Sequence, residues 1–143
     1  MARRGMLILL AALLVGGGIA ADEKEKKHHC TGMIDSPDRI ILEPEDVPDL
    51  ELVERSSVER PPDCDGKLGQ VAPVYEILID EQGEVECAVM LNMDQMDDAH
   101  WCILKALTQA VSRYRFSKPK DGQGHPAACY YYLTVEKLET VNR

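Results

Sequence analysis

The 143-residue chain has five cysteines but no CxxC pair, so neither a zinc ribbon nor a thioredoxin-type redox motif is indicated. It has no glycine-rich loop of the kind that cradles phosphate. No apolar run reaches the roughly 20 residues that a membrane span needs. The longest, residues 6–15 (MLILLAALLV), is shorter and runs into glycines. Cations are scarce: 16 Lys and Arg stand against 25 Asp and Glu, for a net charge of −9. An acidic body disfavours nucleic acid and anionic lipid, since both need cations to neutralise phosphate. No cofactor is implied.

What is present begins with an export pattern. Arg3 and Arg4 precede the apolar run, and the small residues GGGIAA come after it. Charge, apolar stretch and small-residue cleavage site is the layout of a secretory signal peptide over residues 1–21. The alternative is an uncleaved short anchor in the inner membrane. Cys30 lies too far beyond the small residues to be read as a lipid-attachment site. Either way the expected compartment is periplasmic or secreted, where disulfides persist.

Residues 22–70 read as an acidic linker, partly disordered. Residues 22–30 (DEKEKKHHC) have no apolar period. The cluster His28-His29-Cys30 lacks the second set of ligands that a closed metal site needs, so no metal is read there. Pro37, Pro44, Pro48, Pro61 and Pro62 exclude a long helix from the rest. A short strand or helical turn within residues 50–58 could dock on the domain.

That domain occupies residues 71–138, and residues 139–143 are a tail. Residues 74–80 alternate, with Tyr75, Ile77 and Ile79 on one side, which predicts a half-buried strand. Asp80-Glu81-Gln82-Gly83 is a tight hairpin loop in which Gly83 suits the left-handed position. Residues 84–91 alternate again and place Val85, Cys87, Val89 and Leu91 inward. A helix is predicted over residues 97–116, capped by Asp94 or Asp97, with Ile103, Ala106, Leu107, Ala110, Val111 and Tyr114 as its apolar stripe. Residues 127–136 form a third alternating strand.

Hairpin, helix and strand combine simply into an α+β fold: a three-stranded antiparallel sheet in the order second, first, third, with one long helix on one face. The last strand is then an edge, uncharged from Ala127 to Val135 and free of proline. Such edges are normally blunted. Either another segment or a second copy covers this one, or an extended peptide adds to it. The candidate peptide-binding residues are Cys129, Tyr130, Tyr131, Tyr132, Leu133, Thr134 and Val135. Tyr130, Tyr132 and Thr134 face away from the helix.

An odd number of cysteines leaves at least one thiol unpaired within the chain. Cys64 with Cys102 is the favoured disulfide, and Cys87 with Cys102 is its rival. Cys87 with Cys129 is excluded in this sheet order, because two strand spacings separate them. An enzyme is not expected. His100 and Cys102 diverge on a helix, and His125 has no recognisable partner for nucleophilic chemistry.

An ordered set of motifs resembles the C-terminal domain of TonB-type energy transducers. It comprises the hairpin Asp80-Glu81-Gln82-Gly83-Glu84-Val85 and the helix ending Tyr114-Arg115-Phe116. After these come the Lys118-Pro119 and Gly124-His125-Pro126 loop and the strand Tyr131-Tyr132-Leu133-Thr134-Val135. The resemblance implies a periplasmic domain whose last strand pairs with an extended peptide from an outer-membrane receptor, in the service of transport. The alternative is an envelope assembly protein that dimerises through the same edge. For the exported protein, intact mass should show loss of about 20 residues; a retained N-terminus would establish the anchor instead.

Overall fold

The computed structural model describes residues 28–30, 39–64, 71–96, 101–136 and 140–141. The elements in order are β1 (Ile41–Leu42), a 3-10 turn (Pro44–Asp46), β2 (Leu52–Glu54), β3 (Val58–Glu59), β4 (Val74–Ile79), β5 (Val85–Met90), a 3-10 turn (Met93–Gln95), α1 (Trp101–Val111), β6 (Arg115–Phe116), β7 (Ala128–Thr134) and β8 (Thr140–Val141). The class is α+β, as expected. Among the described residues no helix is long and apolar enough to cross a membrane. The apolar run of residues 6–15 lies outside the described residues.

Strands β5, β4 and β7 stand in the expected order and are antiparallel throughout. The sheet nevertheless has four strands, not three. Its order is β1-β7-β4-β5, and β1 is parallel to β7, with Ile41 opposite Ala128 and Leu42 opposite Cys129. The start of β7 is therefore not a free edge. The strand that caps it comes from the stretch read as linker. So do β2, which pairs with β6, and β3, which pairs with β8 in the expected tail. These pieces are two or three residues long, too short to show any period.

The hairpin closes as anticipated. Asp80 Oδ1 accepts the amides of Gln82 and Glu84, and Gly83 sits at φ +84°. The loop Asp121–Gly124 repeats this construction: Asp121 Oδ1 accepts the amides of Gln123 and His125, and Gly124 has φ +82°. A short acceptor at the first position and glycine at the fourth are what the turn requires.

The inward set predicted for β5 is only partly right. A register shift beside Leu78 places Cys87 opposite Leu78 but Val85 opposite Ile79. Such a bulge reverses which side chains face the core from that point on. Val85, Ala88 and Met90 therefore join Tyr75, Ile77 and Ile79 against the helix, while Cys87 and Val89 lie on the opposite face. β4 is buried on both sides, not half-buried: every residue from Tyr75 to Ile79 is buried.

The helix is shorter than predicted. Its first predicted residues, 97–100, lie outside the described residues, so a cap at Asp97 is not described; Asp94 falls in the 3-10 turn that precedes it. It ends at Val111, and the amides of Arg113 and Tyr114 bond to Ala110 and Val111 in a tightening last turn. Phe116 is then held in extended form. Its amide donates to Gly83 at 2.9 Å, and Leu52 pairs beside it. Helix continuation would forfeit both contacts. The apolar stripe is as expected, with Ile103, Leu107, Ala110 and Val111 buried against the sheet. Tyr75, also in this core, bonds the Thr108 hydroxyl at 2.8 Å, and burial pushes its phenol up to about 12.

Gly83 joins the two halves of the domain. A Cβ there would stand 2.1 Å from the Phe116 carbonyl oxygen, and the φ is left-handed. Gly83→Ala should therefore cost about 2 kcal/mol or more, read as a lower urea midpoint at unchanged m-value.

Candidate functional site

The expected site is the outer side of β7. In its ladder with β4, the Val135 amide donates to Pro73. Antiparallel alternation then turns Cys129, Tyr131 and Leu133 toward β4 with their backbone groups. The N–H and C=O of Ala128, Tyr130, Tyr132 and Thr134 point the other way. β1 covers the first part of this row and stops at Leu42. The chain then turns through Pro44–Asp46, where Asp46 N bonds Glu43 O and Val47 N bonds Pro44 O. Beyond β1, the outward groups of Tyr132 and Thr134 have no strand beside them among the described residues.

The side chains divide by face. Cys129, Leu133 and Val135 are buried in the helix-side core, with Tyr131 half-buried against it. The Tyr131 ring meets Phe116 edge to face at 5.2 Å. Tyr130, Tyr132 and Thr134 face away from the helix, as expected. Tyr130 is buried there, so only Tyr132 (45 % exposed) and Thr134 reach solvent. Cys129 is the free thiol. Burial pushes it up to about 11, which disfavours the reactive thiolate.

What buries Tyr130 is the N-terminal strap, residues 28–30. The ring of His28 stacks on Tyr130 with centroids 3.6 Å apart and planes 8° from parallel. Beneath the strap lies Glu76, in the middle of β4 and only 2 % exposed. Its Oε1 accepts the amides of His29 and Cys30 at 2.8 and 3.0 Å, and its Oε2 meets His28 Nδ1 at 3.2 Å. His28 Nε2 reaches Glu43 Oε1 at 2.7 Å. Carboxylate oxygens thus face both ring nitrogens. Cys30 is joined to Cys87, which ties the strap to β5. Burial first, and then the charges of Glu76 and Glu43, raise the Tyr132 phenol above its ordinary value.

Cys64 and Cys102, the favoured pair, form the second disulfide, with Cα atoms 5.9 Å apart. Cys102 therefore offers no thiol, and Cys87 is not its partner. His125 bonds Asp121 within its own loop. His100 lies outside the described residues. Two disulfides fit an oxidising compartment. His28, Glu43 and Glu76 were not anticipated as a unit. The available signal was the single carboxylate in VYEILI, a run otherwise composed for burial on both faces.

Glu76→Ala would leave the amides of His29 and Cys30 and the His28 ring without their buried acceptor. We expect a loss of about 3 kcal/mol, measured by urea unfolding, and faster amide exchange at His29 and Cys30. A loss below about 1 kcal/mol would show that the carboxylate does not hold the strap. No family model matches this chain, and searches of curated proteins and of solved structures found no match.

Proposed function

We propose that this chain is a protein-interaction module of the cell envelope that takes up an extended peptide by strand addition at β7. The reading rests on the motifs shared with TonB C-terminal domains. One observation carries it: β7 is seven residues long, and β1 caps only its first two. The remaining row presents backbone donors and acceptors at Tyr132 and Thr134, next to an exposed phenol. Main-chain pairing supplies affinity in this mode, and alternate side chains supply specificity. A disulfide and a buried carboxylate hold a cover over the second face of the sheet. The partner is an extended segment of an outer-membrane receptor, and transport is the process it would serve.

The test uses synthetic peptides from the periplasm-facing N-termini of outer-membrane receptors. Binding should slow amide exchange at Tyr132 and Thr134 by on the order of tenfold. Tyr132→Pro removes one outward donor, a change that edge strands tolerate. It should weaken binding by about tenfold or more while leaving the circular dichroism unchanged. Equal affinity of the folded variant, or bound peptide without protection at these two amides, would overturn the proposal.

A further inference from the structure

β5 is the other margin of the sheet, and among the described residues no strand pairs with its outer side. The Leu91 amide donates to Val74, so alternation turns the N–H and C=O of Ala88 and Met90 outward. Beside Met90 opens a groove of about 360 Å³ lined by Met90, Met93, Trp101, Leu104 and Thr108, with Lys105 at its rim. Trp101 is 56 % exposed and Met93 49 % exposed. Large apolar side chains left in water beside unpaired backbone mark an interaction surface.

We propose that the β5 margin and this groove form a docking site for an extended segment of another protein, apolar at alternate positions and basic between them. The unpaired backbone at Ala88 and Met90 calls for an occupant with its own free N–H and C=O. An extended peptide has these, and a small apolar molecule does not. Alternate side chains of an added strand would point toward the helix, into the groove. Charge distinguishes a peptide from a second copy. Two copies would each bring a net charge of −9. Glu84 and Glu86 at the hairpin end are held by Arg115 and Arg39, while the exposed carboxylate of Asp94 at the other end, together with the net charge of −9, favours cations on the incoming segment. The site shares no residue with the β7 edge.

Trp101 is the chain's sole tryptophan, so its emission reports this groove alone. The probe is an acetylated eight-residue peptide alternating Lys with Leu or Val, compared with the same peptide carrying Glu for Lys. The Lys peptide should shift Trp101 emission to the blue and slow exchange at Ala88 and Met90 by on the order of tenfold. The Glu peptide should do neither. Ala88→Pro removes an outward donor, and Met93→Lys places a charge on the exposed rim. Each should weaken binding about tenfold with unchanged circular dichroism; two variants guard against one that misfolds. Four results would overturn the proposal: no response to the Lys peptide, equal binding of the Glu peptide, protection at Tyr132 and Thr134 instead, or a peptide-free dimer by sedimentation that already protects Ala88 and Met90.

Discussion

A carboxylate in the middle of the central strand is the constraint on which the rest of this structure depends. Glu76 projects from β4 onto the face opposite the helix, flanked by Val89 and Tyr132 on the neighbouring strands. A carboxylate buried there without partners would be strongly destabilising. The strap supplies two backbone amides and a histidine nitrogen, and in doing so it must lie flat across the sheet. This placement brings about the stack of His28 on Tyr130, the reach of Cys30 to Cys87, and the burial of Leu78 and Ala128 in a second small core. The N-terminal stretch thereby becomes the second cover of a sheet whose first cover is α1.

Covering both faces moves the interest of the domain to its margins. Side chains that would serve as a binding face, Tyr130 above all, are consumed internally. What remains available is main chain at Tyr132 and Thr134 on one side and at Ala88 and Met90 on the other. The hairpin end, by contrast, is closed by charge. Arg39 bonds Glu81 at 2.9 Å and Glu86 at 2.7 Å, and the same contacts lower the Glu81 carboxyl below its ordinary value. Arg39 immediately precedes the turn of the chain into β1 and pins the segment before it crosses to β7.

Much of the domain was legible in the residues. Gly83 after Asp80 marks a hairpin because a left-handed position and a side-chain acceptor are needed there together. The spacing of Ile103, Leu107, Ala110 and Val111 marks a helix face. Asp121 and Gly124 repeat the signal of Asp80 and Gly83, and on that ground the second loop could have been read as a matching turn. The bulge in β5 was not legible. Val85, Cys87 and Val89 keep perfect alternation in sequence, and only the ladder with β4 shows that one residue is extra. Nor was the helix end: Tyr114 and Phe116 continue an apolar pattern, but Phe116 finds its partners in Gly83 and Leu52.

The sequence by itself determined the local elements and the order of the three long strands, because hydrophobic period, turn chemistry and short-range connection are properties of neighbouring residues. It also narrowed the disulfides through reach and sheet order. Only the tertiary structure decided what covers each surface. The pairs that do so are far apart along the chain: His28 and Glu76 by 48 residues, Arg39 and Glu86 by 47, Ser117 and Glu51 by 66. They involve strands of two residues and single polar side chains, which carry no period of their own. Their meaning comes from the groups that folding brings to face them.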